Sequence, residues 1–300
     1  MVNGWIVYNG NLKGDKFRDI AEWLHQAATK RNSKTKIMKN NDLLSVLSTD
    51  KIDILRLNNI SLPDYVLFFD KDIYLANQLE ALGIQVFNNA TAIQLSDDKI
   101  ATYQKLAINN LPIPKTIVAP KVFQNAKENY DYIQMIQETF TYPMIIKEAY
   151  GSFGEQVYLV HNEQELIQQV SKIKDKPFMF QQFIKTSFGK DIRLHVVGDQ
   201  VVAAMKRTSK TDFRANVTIG GAMEKYDPSI EEKDLAIAAT RAIGADFAGV
   251  DLLFGEDHPI ICEVNSNAHI RNIYECTSIN IANYIVDYVL KEMKVKRYTK

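Results

Sequence analysis

Short apolar runs alternate along this chain with stretches in which apolar positions recur every three or four residues, the rhythm of strands followed by amphipathic helices. Trp5-Ile6-Val7-Tyr8 reads as a first strand, after which Phe17, Ile20, Ala21, Leu24 and Ala28 fall on one helix face. Tyr65-Val66-Leu67-Phe68-Phe69 and Gln85-Val86-Phe87 are further strands, separated by a helix over 73–82 that Gly83 stops. Residues 1–90 are therefore expected to form an open α/β domain. The next helix carries Asp97, Asp98, Lys99 and Lys105 and ends at the Pro112 and Pro114 pair. Strands over 142–147, 156–160 and 178–183, with a helix over 163–173, make a central unit running from 91 to 182. The last unit, 183–300, opens with a hairpin of 191–197 and 200–206 around Gly198-Asp199 and continues through a polar loop over 208–221. A helix follows, with Ser229 and Glu232 spaced for a capping box, then a second hairpin and a closing helix over 280–293. The fold class this predicts is α/β (α+β).

The second hairpin carries the sharpest chemical signal. Its apolar runs, 247–254 and 260–265, flank Gly255-Glu256-Asp257-His258-Pro259, which has turn chemistry. A turn centred on Asp257 sets Asp251 opposite Glu263, and Asn265 follows on the same face because side chains alternate along a strand. Two carboxylates and an amide oxygen among Val, Ile and Leu suit a hard divalent cation, Mg²⁺ or Mn²⁺, whose remaining ligands are waters and phosphate oxygens.

Composition narrows the classes. Three hundred residues, 46% hydrophobic and 24% charged, suit a globular protein of two or three packed units. No apolar stretch is long enough to span a membrane, the first ten residues do not resemble a signal peptide, and a cytoplasmic location is the default expectation. Cys262 and Cys276 are too few for a disulfide framework and read as reduced thiols. Thirty-six basic residues balance thirty-six acidic ones, which removes the footprint of a general nucleic-acid binder. The sequence leaves open whether copies of the chain associate.

Anionic ligands must then be met locally. Lys147 closes a strand and is followed by Gly151-Ser152-Phe153-Gly154, a small-residue loop able to approach a phosphate. Asp191, Arg193 and His195 share one strand face, with Ile192, Leu194 and Val196 on the other. Across the Gly198-Asp199 turn, Lys206 is expected opposite Asp191, with Arg207 next to it and Lys210, Arg214 and Asn216 beyond. So many cations just ahead of an acidic hairpin suggest a nucleotide phosphate site.

Taken in order, Asp98-Lys99, Pro143 to Lys147, Gly151 to Gly154, Gln181-Gln182-Phe183, Asp191-Ile192-Arg193, Asp212 to Asn216, Gly220-Gly221, Ala248 to Asp251 and Glu263-Val264-Asn265 resemble the ATP-grasp superfamily. Within it they resemble the RimK-like ligases, which include the ribosomal protein S6 glutamate ligase; the likeness covers roughly residues 90–290. It implies an ATP-grasp fold behind an N-terminal α/β domain, with ATP clamped between the central and C-terminal units. By the same resemblance Lys99, Lys147, Asp191, Lys206, Arg214 and Asn216 serve ATP, and Gly151, Ser152, Phe153 and Gly154 form a lid. Gln181, Gln182 and Phe183 flank adenine. Asp251, Glu263 and Asn265 hold Mg²⁺ or Mn²⁺, with two ions expected, and Arg193 and Arg214 act in catalysis. Arg207, His269 and Arg271 are candidates for the acceptor. The reaction implied joins a carboxylate to an amine through an acyl phosphate, with glutamate or another amino acid and a peptide, protein tail or small molecule as substrates. A kinase acting on a hydroxyl and a non-catalytic ATP-binding regulator are the alternatives. Two places depart from the family: Gln182 stands where a glutamate is usual, and Ser266-Asn267-Ala268-His269-Ile270-Arg271 replaces a Ser-Pro-Gly segment beside the acceptor. Thr218 and Ile219 also replace a basic pair, which points to a substrate unlike the ribosomal tail.

Overall fold

A computed structural model describes residues 2–12, 14–56, 60–122, 131–151, 154–215 and 221–298. The N-terminal part runs β1 (Asn3–Tyr8), α1 (Lys16–Thr29), β2 (Lys34–Lys39), β3 (Leu43–Leu47), β4 (Ile52–Arg56), β5 (Tyr65–Phe69), α2 (Ile73–Ala81) and β6 (Gln85–Phe87). Parallel strands in the order β2-β1-β5-β6 form its sheet, with β3 and β4 as a separate hairpin. Strand β5 is buried along its whole length, as a parallel strand covered on both faces must be.

The helix expected after Asn89 is in fact two, α3 (Ala90–Asp97) and α4 (Lys99–Ile108). Asp98 divides them: its backbone is extended, and its Oδ1 accepts from the Ile100 and Ala101 amides, capping α4. Lys99 thereby becomes the first residue of a helix whose Tyr103 and Leu106 are buried.

Next come β7 (Thr116–Val118), α5 (Tyr132–Thr139), β8 (Met144–Glu148), β9 (Val157–Val160), α6 (Glu163–Ile173) and β10 (Phe178–Gln182). They make an antiparallel sheet, β7-β10-β8-β9, over a core of its own that includes Ile133, Ile146, Leu166 and Phe180. The chain ends with β11 (Lys190–Val197), β12 (Gln200–Thr208), β13 (Ala222–Lys225), α7 (Ile230–Ala242), β14 (Phe247–Phe254), β15 (Pro259–Asn265), α8 (Arg271–Thr277) and α9 (Ile281–Tyr298). Its sheet is β13-β12-β11-β14-β15. Ile192, Leu194, Val196, Val250 and Leu252 pack one face of this sheet against α7, which starts at the Ser229–Glu232 capping box the sequence predicts. The other face is divided: Val197, Ala203, Met205 and Phe247 join the core of the N-terminal sheet, and the rest of it is polar. Among the described residues no helix is long and apolar enough to cross a membrane.

Two irregularities set what that polar face displays. Strands β11 and β12 shift register at His195/Val196, so Asp191 pairs with Arg207 and Ile192 with Lys206. The expected placement of Lys206 opposite Asp191 is corrected here: the bulge turns Lys206 to the side of Ile192, where it pairs with Glu224 at 3.1 Å. A second shift at Asp251/Leu252 keeps Asp251 opposite Glu263 and Gly249 opposite Asn265, as predicted, while Cys262 drops out of the pairing.

Candidate functional site

Opposed residues of an antiparallel pair share a face, so the register gathers Asp191, Arg193, Arg207, Asp251 and Glu263 on one side of the C-terminal sheet. Arg207 grips Asp191 with Nε and Nη2, both at 2.7 Å, and Nη2 also reaches Asp251 Oδ2 at 2.9 Å. Arg193 holds the two Asp251 oxygens, each at 2.6 Å. Two-pronged contacts of this kind are the strongest a guanidinium makes. Asp191, Arg207 and Asp251 are buried, and two cations balance two anions. Burial alone would raise the Asp251 carboxyl, yet Arg193 and Arg207 hold it down to about 2. Burial prevails at Asp191, helped by the Asp251 charge and opposed by Arg207 and Arg193, and its carboxyl lies above the usual range. Burial, with Arg193 adding to it, pushes the imidazole of His195 down to about 3, so it is neutral.

The central sheet and α4 face this row with lysines. Lys147 on β8 is buried, its Nζ donating to Tyr103 Oη at 3.3 Å and lying 3.9 Å from Cys262 Sγ. Burial pushes the Cys262 thiol up to about 11, so that neighbour is uncharged. Lys99 Nζ comes within 3.8 Å of Glu263 Oε1 and donates to the Gly151 carbonyl at 2.9 Å. Burial lowers its pKa although Glu263 favours the cation. A partly buried ammonium of this kind, with no carboxylate in close contact, gains by meeting an anion.

The loop after β8 is held at both described ends. Lys99 takes Gly151, and Arg214 Nη1 donates to the Gly154 carbonyl at 2.5 Å while Asp212 grips the same guanidinium. Gly151 has φ +136°, and a Cβ there would stand 2.1 Å from Gln156 Oε1, so only glycine fits without strain. Ser152 and Phe153 of the expected lid, and Asn216, lie outside the described residues.

The remaining expectations divide. Phe183 meets Phe188 and Phe213 edge-on, with Arg214 over the Phe213 ring, forming an aromatic corner beside exposed Gln182. Gln181, expected beside adenine, is sealed in the interior: its Nε2 donates to Thr116 Oγ1 at 2.9 Å, because alternation turns it to the opposite side from Gln182. His269 lies close enough to His195 to help depress its pKa. Arg207, expected at the acceptor, is instead the buried centre of the charge row. Arg271, also expected there, is turned away; as the first residue of α8 it forms a two-pronged contact with Asp19 on α1 and stacks over Trp23. Three neighbours of the site escaped the sequence reading, Tyr103, Cys262 and Asn88, and Asp212 figured there only as part of a motif. Only Tyr103 had a usable signal, sitting one helical turn beyond Lys99.

The oxygen donors Asp251, Glu263 and Asn265 fit a hard cation in kind. Among the described residues, however, no three His, Cys, Asp or Glu side chains form a ready-made cage. Asp251 is committed to arginine, and Glu263 is the accessible carboxylate. Cation binding here therefore needs the phosphates of an incoming ligand to complete the shell.

Comparison with known proteins agrees with this geometry. The model of the RimK-like ATP-grasp domain matches residues 96–289. A probable alpha-L-glutamate ligase of Legionella pneumophila is 35% identical over 219 residues, 72% of this chain and 70% of that protein. N-acetylaspartylglutamate synthase A of Homo sapiens is 33% identical over 227 residues, 74% of this chain and 56% of its own length. The ATP-grasp ligase PsnB, solved with a phosphomimetic variant of its minimal precursor, Mg and ADP, superposes with a TM-score of 0.69 at 16% identity over 97% of this chain and 98% of that one. At that identity the likeness shows the fold, which is the ATP-grasp fold.

Proposed function

The chain belongs to the RimK-like ATP-grasp family and is a ligase of that family, and from this premise we propose that it uses ATP to join a carboxylate to the amine of an amino acid such as L-glutamate. The carboxylate oxygen attacks the γ-phosphorus, ADP leaves, and the amine then displaces phosphate from the acyl phosphate to give an amide. The observation that carries this reading is the approach of Lys99 to Glu263 at 3.8 Å, which joins the cations of α4 and β8 to the carboxylates of β14 and β15.

The chain's own part is charge placement and water exclusion. Lys99 and Lys147 would neutralise phosphate oxygens, and Arg214 and Asn216 would hold the far end of the triphosphate. Arg193, on trading Asp251 for phosphate, would stabilise the charge that develops during transfer. Arg207 and Asp191 would keep Asp251 ionised and aimed. Phe183, Phe188 and Phe213 would wall the adenine, with Gln182 at its polar edge, and Gly151 to Gly154 would close over the phosphates. Asp251, Glu263 and Asn265 would hold Mg²⁺ or Mn²⁺, two ions in the full complex, whose chemistry is to offset the triphosphate charge. Similarity to the human synthase named above favours a small acid or a peptide end as the partner of the amine.

The test is ADP release from ATP and Mg²⁺ across pairs of carboxylic acids and amino acids, with hydroxylamine in place of the amine as a trap. A ligase gives hydroxamate from its acid. Phosphate retained on a product, with no hydroxamate from any acid, would refute the reading.

A further inference from the structure

The N-terminal sheet has a feature that the phosphate site leaves unused. Its strand order, β2-β1-β5-β6, means that the chain leaves β1 on one side to form β2 and returns on the other to form β5. The carboxyl ends of β1 and β5 therefore flank the point where strand order reverses, the place where open α/β sheets receive ligands. The first residue past β1 is Asn9 and the first past β5 is Asp70.

Asp70 is 6% exposed, and among the described residues its side chain is met by neutral donors only. Asn9 Nδ2 donates to Oδ1 at 3.0 Å and to Oδ2 at 3.3 Å, and the Lys71 amide donates to Oδ1 at 2.7 Å. Oδ2 thus has one long shared contact. Lys71 sends its ammonium elsewhere, to Asp97. Burial raises the Asp70 carboxyl, the direction expected where no cation compensates. Across the crevice stands Asn267, two residues beyond Asn265 on the segment leaving β15. Its Nδ2 donates to the Asp70 carbonyl at 2.8 Å, while its Oδ1 is buried with no hydrogen-bond partner among the described residues. A charged acceptor and a neutral one, on residues that touch through the Asp70 carbonyl, are left short of donors among the described residues.

The group that satisfies both is a compact cation with several N–H donors, a primary ammonium. A metal ion fits less well, because Asn9 turns its amide nitrogen, not its oxygen, toward Asp70. The chain links this point to Lys99, since Lys71, next to Asp70, pairs with Asp97, two residues before Lys99. We propose that Asp70, with Asn9 and Asn267, is the subsite for the ammonium of the amine substrate, and that Asn267 links recognition of that substrate to the metal strand. This rests on the ligase reading above.

The experiment uses the full chain with whichever acid and amino acid release ADP in the screen. Asp70→Asn keeps the shape and removes the charge, and should raise KM for the amino acid roughly tenfold or more, as for a lost charged hydrogen bond. KM for ATP, and the hydroxamate made from acid, ATP and hydroxylamine without the amino acid, should stay at wild-type values. Asn267→Ala should raise the same KM by less and serves if Asp70→Asn does not fold. Unchanged amino-acid KM in both variants, with hydroxamate intact, would overturn the subsite and leave the ligase reading standing. Loss of hydroxamate in Asp70→Asn would also overturn it, by moving Asp70 to the carboxylate half of the reaction. Wild-type protein that yields hydroxamate yet uses none of the standard amino acids overturns it as well. Absence of hydroxamate from wild-type protein with every acid would instead sink the ligase reading, and the subsite with it.

Discussion

Replacing Arg207 with Met tests whether the buried charge row is a scaffold for Asp251. Methionine keeps the unbranched apolar stem but removes the guanidinium hydrogen-bonded to Asp191, along with one of the two on Asp251. Two hydrogen bonds to Asp191 and a 2.9 Å contact with Asp251 disappear, at about 1.5–3 kcal/mol for each hydrogen bond, and removal of one partner from a buried pair costs about 3–5 kcal/mol in total. The pH dependence follows from Asp191. Its folded-state carboxyl already titrates above the usual range, and without Arg207 it must rise further. A folded pKa above the unfolded value of about 3.9 adds a penalty that grows as pH rises from there toward the folded pKa and is absent below both. Arg207→Met should therefore be most destabilising near pH 8 and less so near pH 5, where Asp191 escapes by protonation. Asp251 titrates in the opposite sense: held near 2 in the wild type, it stabilises the fold above its unfolded pKa and loses that contribution only as pH falls toward 2. Urea denaturation of both proteins at the two pH values is the assay. A loss below about 1 kcal/mol at pH 8, the size expected of an exposed pair, or an equal loss at both pH values, would refute the reasoning.

Glu263→Gln should abolish ATP turnover while leaving thermal stability close to wild type, since Glu263 is partly exposed and its nearest cation is 3.8 Å away; turnover within a few-fold of wild type would remove this hairpin from the metal site. Gly151→Ala forces a side chain into φ +136°, at a local cost of about 1–3 kcal/mol, and should raise KM for ATP and lower kcat while the melting temperature falls by a few degrees; wild-type kinetics would show that the loop conformation does not matter. Arg271→Lys should leave the kinetics of every substrate within about twofold, because Arg271 is engaged with Asp19 and Trp23 on the surface; a tenfold rise in amino-acid KM would return it to the acceptor pocket.

What could be read in the sequence was local. Turn chemistry placed the β14–β15 hairpin, and Asp251 does face Glu263, though through the bulge at Asp251/Leu252, since Leu253 pairs with Ile260 and Leu252 with Ile261 beside the turn. The capping box of α7 was legible for the same reason, since its two residues lie three apart. The β11–β12 pairing was misread because adjacent Lys206 and Arg207 offer the same charge, and nothing in the composition marks the bulge that chooses between them. Arg271 was misplaced because its partner Asp19 is 252 residues away. The break at Asp98 did have a signal, a residue type that favours helix starts, but it was hidden inside a continuous helical rhythm. Asp70 and Asn267 belong to segments that meet only through the fold, so neither suggested the other.

Asn88 gives the molecule its mechanical character. It is fully buried at the end of β6, accepts from the Asp246 and Phe247 amides, and donates to the Phe247 and Ser266 carbonyls. Around it one apolar core runs without interruption from Ile6 and Leu24 to Met205 and Ile285, with Phe69 stacked on Phe247 at 5.4 Å. The first and last sheets are in this sense one solid piece, whereas the central sheet has a core to itself. Asp70 and the carboxylates of β14 and β15 therefore lie on one solid piece, and their spacing is set when the chain folds. On the function proposed above, ATP would draw in only the central sheet with Lys147, and hydrogen exchange with and without ADP should accordingly change along the central sheet and its borders while the Asn88 junction stays equally protected.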